Sequence, residues 1–318
     1  MSEQDSTLVL LHEPDWYEQL ASWNDLVSRC ERKPSRKRIH ALRIATLRLK
    51  AQTECWLRQV GAEDARARAA QHWMKQADKL RKVMSSVRDL DVFLQTLARL
   101  RGPEAALPAD APVASRNFVQ EMDRLEVWLK RRRRSADKKL GPALAKKMPA
   151  LQEASAEMQA HFRVSEPPSI HIAEGVEAIV AELAAAAPAL SAETLHEFRK
   201  RAKAARYLAE IDAPRVGLAR RQVALFKKIQ VDVGRWHDWQ ALADEAKGVL
   251  SVRGEEGLQS TLESMAERAL QEAVRTCQNA VRQLAALKAP GPERAAQFSR
   301  RKPVVRVAPA NTGIRRNA

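Results

Sequence analysis

His40 is followed by Arg43 three positions on, Lys50 ten on and Glu54 fourteen on, and His196 is followed by Arg199, Arg206 and Glu210 at the same intervals. On a helix turning about 100° per residue, positions 0, +3, +7 and +10 fall within an arc of roughly 80°. In the second stretch that arc carries His196, Arg199, Lys203 and Arg206, with Tyr207 beside it, and the opposite side carries Leu195, Phe198, Ala202, Ala205 and Leu208. The first stretch sets His40, Arg43 and Lys50, extended backward by Arg36, against Leu42, Ala45, Leu49 and Trp56. Each spacing predicts an amphipathic helix whose polar face is cationic.

Cations stacked one turn apart repel one another by a few tenths of a kcal/mol per pair. The usual remedy, a glutamate four residues before a lysine, is missing from both arcs, and the first acids on them are Glu54 and Glu210 at their ends. Such repulsion makes sense if an anion completes the site. Arginine offers a fork of donors, lysine a point charge, and histidine a donor adjustable near neutral pH. A ladder of this kind suits a linear polymer of phosphates.

A second matched element follows each stretch, VMSSVRDLDVF at 83–93 and DVGRWHDWQAL at 232–242. Lys75, Lys79 and Lys82 are spaced to line one face leading to Arg88 and Asp89, and Lys228 and Arg235 lead comparably to His237 and Asp238. An acid placed there can fix arginine rotamers. Asp89 and Asp91 could also be a metal or acid–base pair, but an i,i+2 spacing on a helix points them apart, which favours pairing with arginine. Two elements in the same order, twice, indicate an internal duplication.

The chain of 318 residues carries 55 Lys and Arg against 39 Asp and Glu, a formal charge of +16 and a pI near 10.1. That balance attracts phosphate polymers, nucleic acid or anionic surfaces and says nothing of fold. A basic stripe on an arbitrary helix is usually only a solvated face; two stripes in repeat relation argue for more. The seven tryptophans read as core rather than base-stacking platforms, with only Trp236 and Trp239 close together. Lys130 to Arg134 reads as an exposed, generic anion attractor. Cys30, Cys55 and Cys277 fit no metal spacing, and no secretory leader or apolar run of spanning length is found, so a reducing cytoplasm is expected. No glycine-rich phosphate loop, H-E-x-x-H or nucleophile elbow occurs. No catalytic or metal-binding residue and no cofactor is expected.

The elements that must position these residues are all helical, since glycine is scarce and the best helix formers dominate. The patterns predict helices over 14–32, from an N-cap at Ser35 to about 60, over 62–100 with a break near Ser85–Ser86, and over 113–162. Further helices are predicted over 170–187, 191–212, 214–247 and 253–288. Breaks rich in proline fall at 101–112 and 163–169. The resulting division is an N-terminal helical extension (1–32), a helical domain (33–288, halves about 33–162 and 170–288) and a disordered basic tail (289–318).

HALRIATLRLK with RDLDVF, and HEFRKRAKAARY with VGRWHD, resemble the CHAD family, the conserved histidine α-helical domain. The second stretch fits that family's H-x-x-R-K-x-x-K-x-x-R-Y, with Lys200 at its first lysine, and VGRWHD fits its L-G-x-x-x-D. The resemblance spans about 30–288. It implies an all-α fold of two antiparallel helical bundles related by a pseudo-two-fold, around a basic central groove that binds inorganic polyphosphate. The implied binders are His40, Arg43, Arg48 and Lys50, then His196, Arg199, Lys203, Arg206 and Tyr207. Leu47 departs from the pattern, standing where the family usually has a basic residue. Some members carry an attached triphosphatase domain; the short segment ahead of the first repeat has no alternating E-x-E-x-K strand, so binding without cleavage is expected. A partnership with polyphosphate implies cytoplasmic granules as a location, with weak nonspecific nucleic-acid binding and no membrane. The competing expectation is a nucleic-acid-binding or nucleoid-associated protein, against which stands the lack of a helix-turn-helix, zinc-finger or RNP-like signature.

Overall fold

The computed structural model describes residues 16–33, 35–60, 64–102, 116–163, 171–214, 216–250 and 257–287. Among them every regular element is helical. The helices are α1 (Trp16–Arg32), α2 (Arg36–Leu57), α3 (Ala65–Leu100), α4 (Arg116–Arg163), α5 (Ile172–Ala186), α6 (Ala192–Asp212), α7 (Gly217–Leu250) and α8 (Gly257–Ala286), with a 3-10 turn at Ala187–Ala189. Ser35 caps α2, its hydroxyl accepting from the Arg38 N–H at 3.3 Å. At the start of α6 the Ser191 N–H donates to Thr194 Oγ1 at 2.9 Å. The tail at 289–318 and both proline-rich breaks lie outside the described residues, apart from Arg101, Gly102 and Arg163 at the edges of the breaks.

α3 corrects one expectation, because it runs unbroken through Ser85 and Ser86. Both hydroxyls turn back on their own helix, Ser85 donating to the Arg81 carbonyl at 3.0 Å and Ser86 to that of Val83 at 3.2 Å. Back-bonding of this kind keeps a serine inside a helix instead of ending it. α2 stops at Leu57, three residues earlier than its pattern suggests.

Ion pairs and side-chain hydrogen bonds give the registers. Asp91 meets Arg133 and Arg101 meets Asp123, so α3 and α4 run antiparallel. Arg43 meets Ser85 and Lys50 meets Asp78, which makes α2 antiparallel to α3. Asp232 meets Thr276 and Arg235 meets Glu272, and α7 and α8 are likewise antiparallel. α2 also packs on α6, and α3 on α7.

Two apolar cores hold these helices. One gathers α1, α2, the first two thirds of α3 and the second half of α4, with Trp23 edge-on to Trp73 at 5.1 Å and Trp56 against Phe162 at 4.9 Å. The other gathers the ends of α2 and α3, the start of α4, and α5 to α8. Thus α3 and α4 pass through both. All three cysteines are buried and free. Among the described residues no helix is long and apolar enough to cross a membrane, and no cluster of three or more His, Cys, Asp and Glu could hold a metal ion.

Candidate anion-binding site

α6 buries Leu195, Phe198, Ala202, Ala205 and Leu208, none more than 4% exposed, and this turns its cationic stripe toward α2, α3 and α7. Lys203 stands in the middle of the stripe. The positive charges of Arg199, Arg43, Arg206 and Arg81 all act on it, drawing three helices to one point. Lost hydration comes first and that cationic crowding second, and together they pull the Lys203 ammonium down to about 8.

The arginines are held from the side. Arg43 donates to Ser85 Oγ at 2.8 Å. Arg199 runs over Gly234 of α7, where an added Cβ would lie 3.5 Å from its Nη2. Glu210 serves two cations at the rim, Arg48 at 3.1 Å and Arg206 at 3.6 Å. Arg206 lies over the buried Tyr207 ring at 4.6 Å, with Lys203 at 5.9 Å and Arg48 at 6.0 Å from the same ring. Burial raises the Tyr207 hydroxyl pKa, and Arg206 opposes the rise.

Even so, the charge is not neutralised within the protein. Arg199 Nε is buried without a hydrogen-bond partner, and Arg206 Nε has only the Glu210 carboxylate at 3.6 Å, beyond hydrogen-bond length. Buried donors are nearly always paired in native proteins, so the stripe holds its guanidinium groups at a cost in hydrogen bonding. Burial lowers the pKa of the Arg199 and Arg43 guanidinium groups, and Asp238 and Asp89, respectively, pull them back.

Asp89 of α3 sits close enough to Asp238 of α7 for its charge to disfavour the ionised form of Asp238. Asp89 has an open side, yet lost hydration raises its pKa above the usual carboxylate range, with Arg43, His237, Arg88 and Arg81 opposing. Asp238 is raised for the same reason, with Arg199, Arg88 and Arg99 opposing. At the α6–α7 edge His196 and His237 stack at 5.6 Å, inclined by 29°. Both are lowered from 6.5, chiefly by lost hydration, and neighbouring cations including Arg199 add to it.

Of the residues singled out in the sequence, the structure brings together Arg43, Arg48, Arg88, His196, Arg199, Lys203, Arg206, Tyr207 and His237. Lys50 belongs to the α2–α3 seam instead, held by Asp78 at 2.7 Å and Glu54 at 3.6 Å. Lys200 is exposed and paired with Glu197, and Lys79 is exposed against Gln76. Arg235 turns to Glu272 of α8 at 3.0 Å. His40, Lys75, Lys82 and Lys228 face solvent. Arg36 opens α2, and its side chain lies outside the described part of the structure.

Sequence reasoning missed Arg81, Ser85 and Asp78. On α3 the positions 78, 81, 85 and 88 form one half-buried stripe, and 75, 79 and 82 form another, fully exposed and turned by roughly 90°. The cations of the exposed stripe drew the eye, while the one that meets α2 carries Arg81 and Arg88 around a serine.

The fold and the site define a class: an all-helical protein that gathers arginines and a lysine from separate helices with too few carboxylates to neutralise them. Residues 15–247 match the CHAD domain, and the chain belongs to that family. No curated protein matches it.

Proposed function

We propose that the protein binds inorganic polyphosphate at this cluster and does not hydrolyse it. The observation that carries the reading is the convergence of Arg199, Arg206, Arg43 and Arg81 on Lys203, with which no carboxylate pairs among the described residues. Phosphate oxygens are strong acceptors, and charge-assisted bonds to guanidinium groups are roughly twice as strong as neutral ones. CHAD family membership supports the same ligand.

An internal duplication of two bundles about a central basic groove is part of this proposal. Ser85 and Gly234 each stand four residues before the aspartate of their element, and Arg43 and Arg199 each stand three after their histidine. Arg43 meets Ser85, and Arg199 meets Gly234. Equivalent partners in equivalent places support a common ancestor for α2–α3 and α6–α7.

Competition tests the ligand. Long-chain polyphosphate is expected to displace duplex DNA or RNA of equal charge at fixed salt, with log affinity falling linearly in log salt as counterions are released. The same mixtures with divalent metal are expected to release no orthophosphate above a protein-free control. Equal affinity for DNA, or a flat salt response, would put nucleic acid or no polymer at the site; steady release of orthophosphate would make the protein an enzyme.

Affinity is also expected to depend on pH with a definite sign. An anion favours the charged forms of Lys203, His196 and His237, so free-protein pKa values near 8 for Lys203 and below 6.5 for the histidines make binding tighten as pH falls. Titrations from pH 6 to 9 check this, and affinity that climbs through pH 8 would contradict it.

A further inference from the structure

We propose that Arg81 contacts polyphosphate from α3 in place of the cation that α2 lacks at Leu47, so that α2–α3 and α6–α7 present equivalent contacts with the charge carried on opposite helices of each pair. The proposal rests on the cluster being a polyphosphate site, duplication included, and names a contact within it.

The registers set the two residues opposite each other. Arg43 meets Ser85 at 2.8 Å and Lys50 meets Asp78 at 2.7 Å across the antiparallel α2–α3 seam. Leu47 lies between Arg43 and Lys50 on one stripe and Arg81 between Asp78 and Ser85 on the other, so the two share a layer. The α6–α7 seam repeats the arrangement. His196 stacks on His237 at 5.6 Å and Arg199 runs over Gly234, and one turn further the same register sets Lys203 opposite Gln230. Lys203 stands seven residues after its histidine, as Leu47 does, and Gln230 stands eight before its aspartate, as Arg81 does. Each layer therefore holds one cation and one uncharged side chain, leucine with arginine in the first pair and lysine with glutamine in the second.

Arg81 has the means to reach a ligand. Its side chain is 34% exposed, Asp78 holds it through Nε at 3.3 Å, and its two terminal nitrogens make no hydrogen bond among the described residues. Its charge acts on Arg43 and on Lys203, which places it at the cluster and apart from the exposed Lys79 and Lys82. Leu47, by contrast, packs against the core that α6 enters. A lysine at that position would lay its stem along the same apolar surface and bring only its head to the seam. A polymer of phosphates responds to charge along its path and not to the helix that carries it, so one cation per layer suffices.

The test sets charge transposition against charge loss, by titrating full-chain variants with long-chain polyphosphate over a range of salt. Arg81→Gln is expected to weaken binding about ten- to a hundredfold, the worth of one charge-assisted contact, and to lower the slope of log affinity against log salt by about one unit. Leu47→Lys added to Arg81→Gln copies the Lys203–Gln230 layer into α2–α3, and should restore most of the affinity and the slope. Lys82→Gln removes the same charge from the exposed stripe and should change affinity by less than about threefold. The mirror exchange, Lys203→Leu with Gln230→Arg, copies the first layer into α6–α7 and should bind better than Lys203→Leu alone; it is the deciding arm if melting shows that Leu47→Lys does not fold. Arg81→Gln that binds no more weakly than Lys82→Gln overturns the proposal. So does a folded transposed chain that stays as weak as its single-site parent, which would make Arg81 a partner of Asp78 and not of the ligand. Wild type that binds no polyphosphate sinks the ligand reading itself, whereas a binding wild type beside an unaffected Arg81→Gln sinks this proposal alone.

Discussion

Replacing Arg199 and Arg206 together by alanine is expected to weaken polyphosphate binding by about 10²- to 10⁴-fold, since charge-assisted hydrogen bonds run to about 1.5–3 kcal/mol each and ~1.4 kcal/mol is tenfold. Both side chains act on Lys203 from the same helix, and neither Nε makes a hydrogen bond within the protein. The informative comparison is deletion of 289–318, which removes seven basic residues and Glu293 and so more net charge than the double substitution does. Diffuse attraction acts through a field screened over about 10 Å at 0.1 M salt. Attraction of that kind makes the deletion the worse lesion; a built site makes the double substitution worse. The second outcome is expected, by titration of all three proteins with one polyphosphate preparation. Melting curves add a second readout, because a ligand that binds only the native state raises Tm by mass action. Wild type and the truncated chain should show that rise, and the double variant should lose it while staying folded. A truncated chain that loses more affinity than the double variant would move the site to the tail.

The α6 stripe was legible in the sequence because one helix contains all of it. Leu195, Phe198, Ala202 and Ala205 fix the buried face, and the face opposite follows from the helical period alone. α3 shows where this logic stops. Ala77, Leu80, Met84 and Val87 fix its buried face equally well, but cations flank that face on both sides. Which flank meets α2 depends on the register between two helices, and no single-helix period carries that. The same register hides Asp78, whose carboxylate takes Lys50 out of the ladder it belongs to by spacing. Ser85 misleads in the other direction: its hydroxyl, a breaker by composition, is both tied back to Arg81 and the acceptor for Arg43. The division of the core was hidden too, since α3 and α4 are each long enough to serve two cores, and neither changes its apolar period where it passes from one to the other.

Lys203→Met is expected to move stability and binding in opposite directions. Methionine keeps most of the apolar stem that packs in the stripe and removes the ammonium. The sign of the stability change follows from the titration. In the folded chain Lys203 holds its proton only to about pH 8, whereas an unfolded lysine holds it to about 10.4. The folded state therefore binds the proton less well. The destabilisation is present in full below pH 8 and fades as pH rises from about 8 toward 10.4. At pH 7 the ligand-free variant should melt above wild type by a few degrees, about 2–4 °C for each kcal/mol relieved in a domain of this size. Near pH 10 the two curves should converge. Polyphosphate should reverse the order at pH 7, since wild type gains a central charge contact that the variant lacks, and the pH dependence of affinity around 8 should flatten in the variant. A ligand-free variant that melts lower than wild type at both pH values would show that Lys203 is a structural lysine, held by its stem, and that the crowding of Arg43, Arg81, Arg199 and Arg206 around it is not a poised anion site.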